Sequence, residues 1–103
     1  MLTIIETPIF QRMASSVWSE SERDEFIAFI SETPLAGDVI PGAGPLRKVR
    51  WSRDGMGKRG GARVIYYTRL SQGEVVLVAA YVKAKFDNMP VAILKSWKEA
   101  YDA

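Results

Sequence analysis

Residues 33–45, Thr-Pro-Leu-Ala-Gly-Asp-Val-Ile-Pro-Gly-Ala-Gly-Pro, hold three prolines and three glycines, and no regular element is expected to run through them. Proline lacks the backbone donor and fixes φ, while glycine raises the entropy lost on ordering. The stretch reads as a loop, and it divides the chain into two halves of different hydrophobic period. It is too short, and at Leu35, Val39 and Ile40 too apolar, for a linker between domains. Residues 1–103 are therefore expected to form a single domain.

The first half reads as helical after one short strand. Thr3 to Glu6 is β-branched and apolar in the middle. A helix begins near Pro8, a favourable early-helix position for proline, with Ile9, Met13 and Val17 at i, i+4, i+8 as its expected buried stripe. Ser19-Glu-Ser-Glu22 has the S-x-x-E pattern of a capping box, so a second helix should start there with Phe26, Ile27, Phe29 and Ile30 inward. Glu20, Glu22, Asp24 and Glu25 fall on its first turns, where the helix dipole favours them. The two helices should form an antiparallel hairpin.

The second half alternates. From Leu46 to Trp51, Leu46, Lys48 and Arg50 share one face, and Arg47, Val49 and Trp51 the other. A glycine-rich turn over 54–61 leads into a strand from Ala62 to Leu70. Gln72-Gly73 then turns the chain into a strand from Glu74 to Val82, whose run Val75-Val-Leu-Val-Ala-Ala80 suggests cover on both faces. A last helix runs from about Met89 to Tyr101, with Pro90 in its first turn and Ile93, Leu94, Trp97 and Tyr101 inward. The order β-α-α-β-β-β-α predicts an α+β fold, a helical layer against a mainly antiparallel sheet.

Histidine and cysteine are both absent. That excludes a Ser-His-Asp triad, imidazole acid–base pairs, cysteine nucleophiles, disulfides and zinc thiolate sites. Proton transfer must then use Lys, Arg, Tyr, Asp, Glu, a substrate group or water. No run of about 18 apolar residues suggests a membrane span, and the N-terminus does not read as a signal peptide. A cytoplasmic setting is expected, with no metal and no cofactor.

The net charge of +2 hides an asymmetry: residues 1–46 carry two basic and seven acidic side chains, whereas 47–69 carry eight basic and one acidic. A concentrated cationic block is the informative quantity for a polyanionic partner. Arg47, Lys48, Arg50, Arg53, Lys58, Arg59 and Arg63 are interleaved with Trp51, Tyr66 and Tyr67. Antiparallel strands would bring cations onto one surface, where they neutralise phosphates, and exposed aromatics would stack on bases. Arg47, Arg53, Lys58, Arg59 and Trp51 are the expected RNA contacts, although Trp51, Trp97, Tyr66 and Tyr67 each read first as core or half-core residues. Arg63, inside a strand, suits rigid planar recognition of phosphate, and Lys83 and Lys85 share a face at the end of the last strand. A solvated, charged hairpin is the bland alternative. Gly55-Met-Gly-Lys58 lacks the spacing and the Ser/Thr of a phosphate-binding loop. Gly42-Ala-Gly-Pro-Leu-Arg47 lacks the third glycine of a dinucleotide fingerprint.

Gly37-Asp-Val-Ile-Pro-Gly-Ala-Gly-Pro-Leu-Arg-Lys-Val-Arg-Trp51 and Gly57-Lys-Arg-Gly-Gly-Ala-Arg-Val-Ile-Tyr-Tyr67 resemble the RelE/ParE superfamily of type II toxin–antitoxin toxins, most closely the RelE-like HigB toxins. The resemblance implies a sheet packed on an N-terminal helical hairpin, with a C-terminal helix. It implies a toxin that enters the ribosomal A site and cleaves mRNA there without a metal, and a cognate antitoxin that is a small helix-turn-helix protein. By position Lys48 and Arg50 match the family's paired cations and Arg63 its phosphate-binding arginine. Lys83 or Lys85 stands in place of the cation ending the last strand, so the implied catalytic set is Lys48, Arg50, Arg63, Lys83 and Lys85, with Lys48 or Lys83 as base. Where some members carry a tyrosine or histidine after the last strand, this chain has Phe86-Asp-Asn-Met-Pro90, in which Asp87 is a candidate acid–base group, and the assignment of proton transfer stays open. A ParE-like inhibitor of DNA gyrase and a non-catalytic nucleic-acid-binding module are the alternatives.

Overall fold

A computed structural model describes residues 2–51, 61–82 and 89–102. Strand β1 (Thr3–Glu6) runs into Thr7, which caps helix α1 (Pro8–Val17) by accepting the Phe10 N–H on its Oγ1. Proline at the first helical position removes a donor that the helix leaves unpaired anyway. Helix α2 (Glu20–Glu32) opens on the expected capping box: the Ser19 hydroxyl accepts the Glu22 N–H, and the Glu22 carboxylate accepts the Ser19 N–H.

The helices' inward faces differ in detail from the expectation. In α1 the buried residues are Phe10 and Ala14, followed by Trp18 just past its end, while Ile9, Met13 and Val17 are half-buried or less deeply set. The same four-residue spacing fits both stripes, and the small Ala14 lets the helix approach β5. In α2, Phe26 and Ile30 are buried, and Ile27 and Phe29 only partly so. Trp18 stacks on Phe26, with ring centroids 5.2 Å apart.

Strands β2 (Asp38–Val39), β3 (Arg47–Trp51), β4 (Ala62–Arg69) and β5 (Glu74–Val82) complete a five-stranded sheet in the order β1-β5-β4-β3-β2. β1 lies parallel to β5 and every other pairing is antiparallel. β2 was not expected, since it sits inside the Pro/Gly stretch. Its two residues pair with Lys48 and Arg47, and the Ile40 N–H extends the pairing to the Leu46 carbonyl. None of the paired positions is a proline, so the ladder loses no donor.

From Val75 to Tyr81, β5 is buried on both faces as its apolar run suggests, and each residue is at most 3% exposed. One face packs on α1 and α2 through Val75, Leu77, Val64 and Tyr66. The other meets helix α3 (Val91–Asp102) and the loop before β3 through Val76, Ile65, Leu46 and Leu94. Fully burying such a side chain contributes about 1.5–3 kcal/mol. In α3, Leu94 is buried and Trp97 and Tyr101 are half-buried, but Ile93, expected inward, is 40% exposed. One residue is about 100° of helix rotation, and Leu94 takes the inward direction. The last turn of α3 is tied to β4, because the Tyr67 hydroxyl and the Arg69 guanidinium both donate to Asp102 Oδ1 at 2.7 Å.

β5 carries a bulge. Ile65 pairs with Ala79 but Tyr66 with Leu77, leaving Val78 as the extra residue. Thr7 holds this irregularity: its N–H donates to the Leu77 carbonyl, and its hydroxyl lies 2.9 Å from that oxygen and 3.3 Å from the Val78 carbonyl. A bulge leaves ladder groups unpaired, and here a buried threonine supplies a partner.

Candidate nucleic-acid interface

Strand alternation sorts the residues of β3. Val49 joins the core under α1 and α2, and Trp51 packs there against Phe29 and Phe26, with ring centroids at 4.6 and 5.7 Å. Lys48 and Arg50 point the other way and are exposed. Arg63, half-buried on β4, lies directly opposite Arg50. Asp38 on β2 lies opposite Lys48. Together with Ala36, these residues line a groove of about 310 Å³.

The expected cations therefore separate. Lys48, Arg50 and Arg63 come together on one surface. Arg47 lies on the opposite side of β3 from Lys48, and its Nη1 donates to the Gly37 carbonyl at 2.8 Å, which clamps the loop. Trp51, expected among the RNA contacts, is part of an aromatic cluster with α2. Arg53, Lys58, Arg59, Lys83, Lys85 and Asp87 lie outside the described residues.

Two residues of this surface do not stand out in the sequence. Asp38 belongs to a strand hidden in a Pro/Gly-rich stretch, and only the β2–β3 register brings it to Lys48. Tyr81 sits in an apolar strand, buried, and faces Arg63 across the β4–β5 ladder. The β4–β5 register sets the Arg63 side chain beside the Tyr81 ring on the same face of the sheet. Burial pushes the Tyr81 phenol above its ordinary pKa, and the Arg63 charge opposes that shift. Tyr81 shares the two-residue period of Lys83 and Lys85, which is the signal that could have found it.

Like charges directly opposite on neighbouring strands are destabilising, so the Arg50–Arg63 pair costs the free protein something. It also builds a site whose potential favours a group with two or three anionic oxygens, the geometry guanidinium groups match well. Among the described residues, no cluster of three or more acidic side chains could hold a metal ion, and no helix is long and apolar enough to cross a membrane.

No protein-family model matches the chain. Its structure is similar to that of the E. coli toxin RelE, solved in the free state as a mutant with two arginines changed to alanine. The match covers 94% of this chain and 96% of that one, with a TM-score of 0.59 and 10% sequence identity. At that identity the likeness is one of architecture: among the described residues, three α-helices and a mostly antiparallel five-stranded sheet give this chain a RelE-like α+β fold.

Proposed function

We propose that this chain is a single-domain cytoplasmic toxin of a type II toxin–antitoxin pair, of the RelE-like HigB kind, and that it cleaves mRNA in the ribosomal A site. The observation that carries the reading is the convergence of Lys48, Arg50 and Arg63 on one groove, across two strands whose other faces are core. The segments 37–51 and 57–67 support the HigB-like assignment, and the fold it shares with the toxin RelE agrees with it.

The chemistry follows from the residue types. The ribose 2′-oxygen attacks the adjacent phosphorus, an O–P bond forms, and the bond to the 5′-oxygen breaks in line with it. A base takes the 2′-proton, cations stabilise the charge that builds on the phosphate, and a donor protonates the leaving oxygen. Arg50 and Arg63 are the stabilising cations. Lys48 or Lys83 is the base, a role that a lysine fills as the neutral amine. Lys85 and Asp87 remain candidates for the leaving-group proton, and Arg53, Lys58 and Arg59 for contacts along the RNA. No step requires a metal or a cofactor. The partner in the resting cell is an antitoxin, a small protein with a helix-turn-helix.

The test is cleavage of a defined mRNA on programmed ribosomes by the purified protein, with a ribosome-free control and Arg63→Ala. Discrete cuts at A-site codons, absent without ribosomes and lost in the variant, are expected. Growth arrest without cleavage would overturn the reading and direct attention to gyrase supercoiling.

A further inference from the structure

We infer that Tyr81 is a positioning residue for Arg63: its buried hydroxyl receives a guanidinium hydrogen bond and so fixes the planar group in the groove beside Arg50. The inference rests on the reading that this groove handles a phosphodiester.

The β5 bulge is what makes the contact possible. Between Arg69 and Tyr66, β4 pairs with the segment Glu74 to Leu77. Continued without interruption, that register would set Arg63 opposite Ala80 and turn Tyr81 toward α1 and α2. The extra residue Val78 shifts the pairing by one, so Arg63 meets Tyr81 instead. Bulges often re-aim a side chain next to a functional site. Arg50, Arg63 and Tyr81 then form one row across three adjacent strands.

The chemical type of the partner matters. A carboxylate would orient Arg63 equally well, but it would cancel the field that a phosphate needs. A neutral phenol orients the guanidinium and leaves its charge intact. Burial keeps the Tyr81 proton in place, so this neutrality persists across the working pH range. At 3% exposure Tyr81 does not itself reach a substrate. It acts through Arg63, which lines the groove.

Tyr81→Phe removes the hydroxyl and keeps the ring; Tyr81→Leu is a second variant without an acceptor. The readouts are the single-turnover cleavage rate on programmed ribosomes, ribosome binding, the thermal midpoint, and NMR of the Arg63 side-chain N–H groups. Tyr81→Phe should slow cleavage roughly tenfold, the order expected for losing a hydrogen bond to a charged group, with ribosome binding unchanged and the thermal midpoint lowered by only a few degrees. In an Arg63→Lys background, which lacks the planar fork, Tyr81→Phe should cause little further loss. Cleavage by Tyr81→Phe at the wild-type rate, or the same fractional loss in both backgrounds, would overturn the inference. Absence of cleavage by the wild type would instead remove the nuclease reading. The positioning role is then decided by NMR: it stands if Tyr81→Phe loosens the Arg63 guanidinium and falls if those signals do not change.

Discussion

Replacing Gly37 by alanine tests how the loop is joined to the groove. A Cβ at this position would lie 2.7 Å from the Lys48 carbonyl oxygen, 2.9 Å from its carbon and 3.0 Å from Cε1 of Tyr66. Two of these atoms are strand backbone and the third belongs to a fully buried ring, so none moves cheaply. Gly37 also donates its N–H to the Tyr66 hydroxyl at 2.8 Å and accepts from Arg47 at 2.8 Å. Overpacking of this kind costs about 1–3 kcal/mol. Weakening the hydrogen bond to a buried phenol adds about 1 kcal/mol. Gly37→Ala should therefore lose about 2–4 kcal/mol, and because the clash falls on Lys48 it should also displace a groove cation.

Gly42→Ala in the same loop is the control. Gly42 has φ +77° with nothing within 4 Å of its Cβ position, so its replacement meets only the left-handed backbone penalty of about 1–2 kcal/mol. Urea unfolding followed by tryptophan fluorescence measures both. With a slope of about 1–3 kcal/mol/M for a small protein, Gly37→Ala should lower the midpoint by roughly 1–2 M and Gly42→Ala by less. A Gly37→Ala midpoint equal to the wild type, or higher than that of Gly42→Ala, would refute the argument from close approach.

Thr7→Ala removes the α1 cap and the hydroxyl held against the bulge carbonyls; a loss of about 1–2 kcal/mol is expected by calorimetry, most of it restored in Thr7→Ser. Arg50→Thr relieves the cross-strand repulsion with Arg63, so it should raise unfolding stability by about 0.2–1 kcal/mol while abolishing cleavage; reduced stability in low-salt urea titrations would contradict this. Burial raises the phenol pKa of Tyr66, Tyr67 and Tyr81, so above about pH 10 the unfolded chain binds fewer protons than the native one. Stability should then fall as pH rises, and the native phenolate absorbance should lag behind that of the urea-unfolded chain. Asp102 is held below the ordinary carboxylate range, first by its hydrogen bond with Lys98 and also by Tyr67 and Arg69. Its contribution is present above the unfolded carboxylate pKa and lost as pH falls through the depressed folded value, so Asp102→Asn should flatten the acid side of the stability profile.

Much of the fold could be read because local chemistry and tertiary structure agree. Ser19 and Glu22 form a capping box wherever a helix can follow, and Pro8 suits a first turn whatever packs beside it. The alternation from Arg47 to Trp51 assigns Lys48 and Arg50 to one face whatever strand pairs beside it. What could not be read depends on pairing. β2 exists because Asp38 and Val39 find Lys48 and Arg47, not through its own propensity. The choice between the Ile9 and Phe10 stripes turns on which face meets β5. The bulge at Val78 leaves no mark in a uniform apolar run, yet it decides which way Tyr81 points. Arg47 and Trp51 carry the residue types of RNA contacts, and parity alone, once the core face is known, directs them to the loop clamp and the α2 cluster.

The groove and the core are not separable modules here. β3 serves both, with odd residues under the helices and even residues in the groove, so any shift that slips its register exchanges the two sets at once. The same dependence runs the long way round the molecule. Thr7 ends β1 and starts α1, and its backbone and hydroxyl satisfy carbonyls at the β5 bulge. The bulge sets Tyr81 opposite Arg63, and Arg63 stands opposite Arg50. A buried threonine on the far side of the sheet therefore helps to keep two like charges side by side. That pairing disfavours the isolated protein and becomes favourable when an anionic group lies between the guanidiniums. A chain without histidine that handles phosphate has reason to hold its arginines in this way. With no imidazole to switch on and off, control must come from placement, and placement is what the ladder, the bulge and the Tyr81 hydroxyl supply.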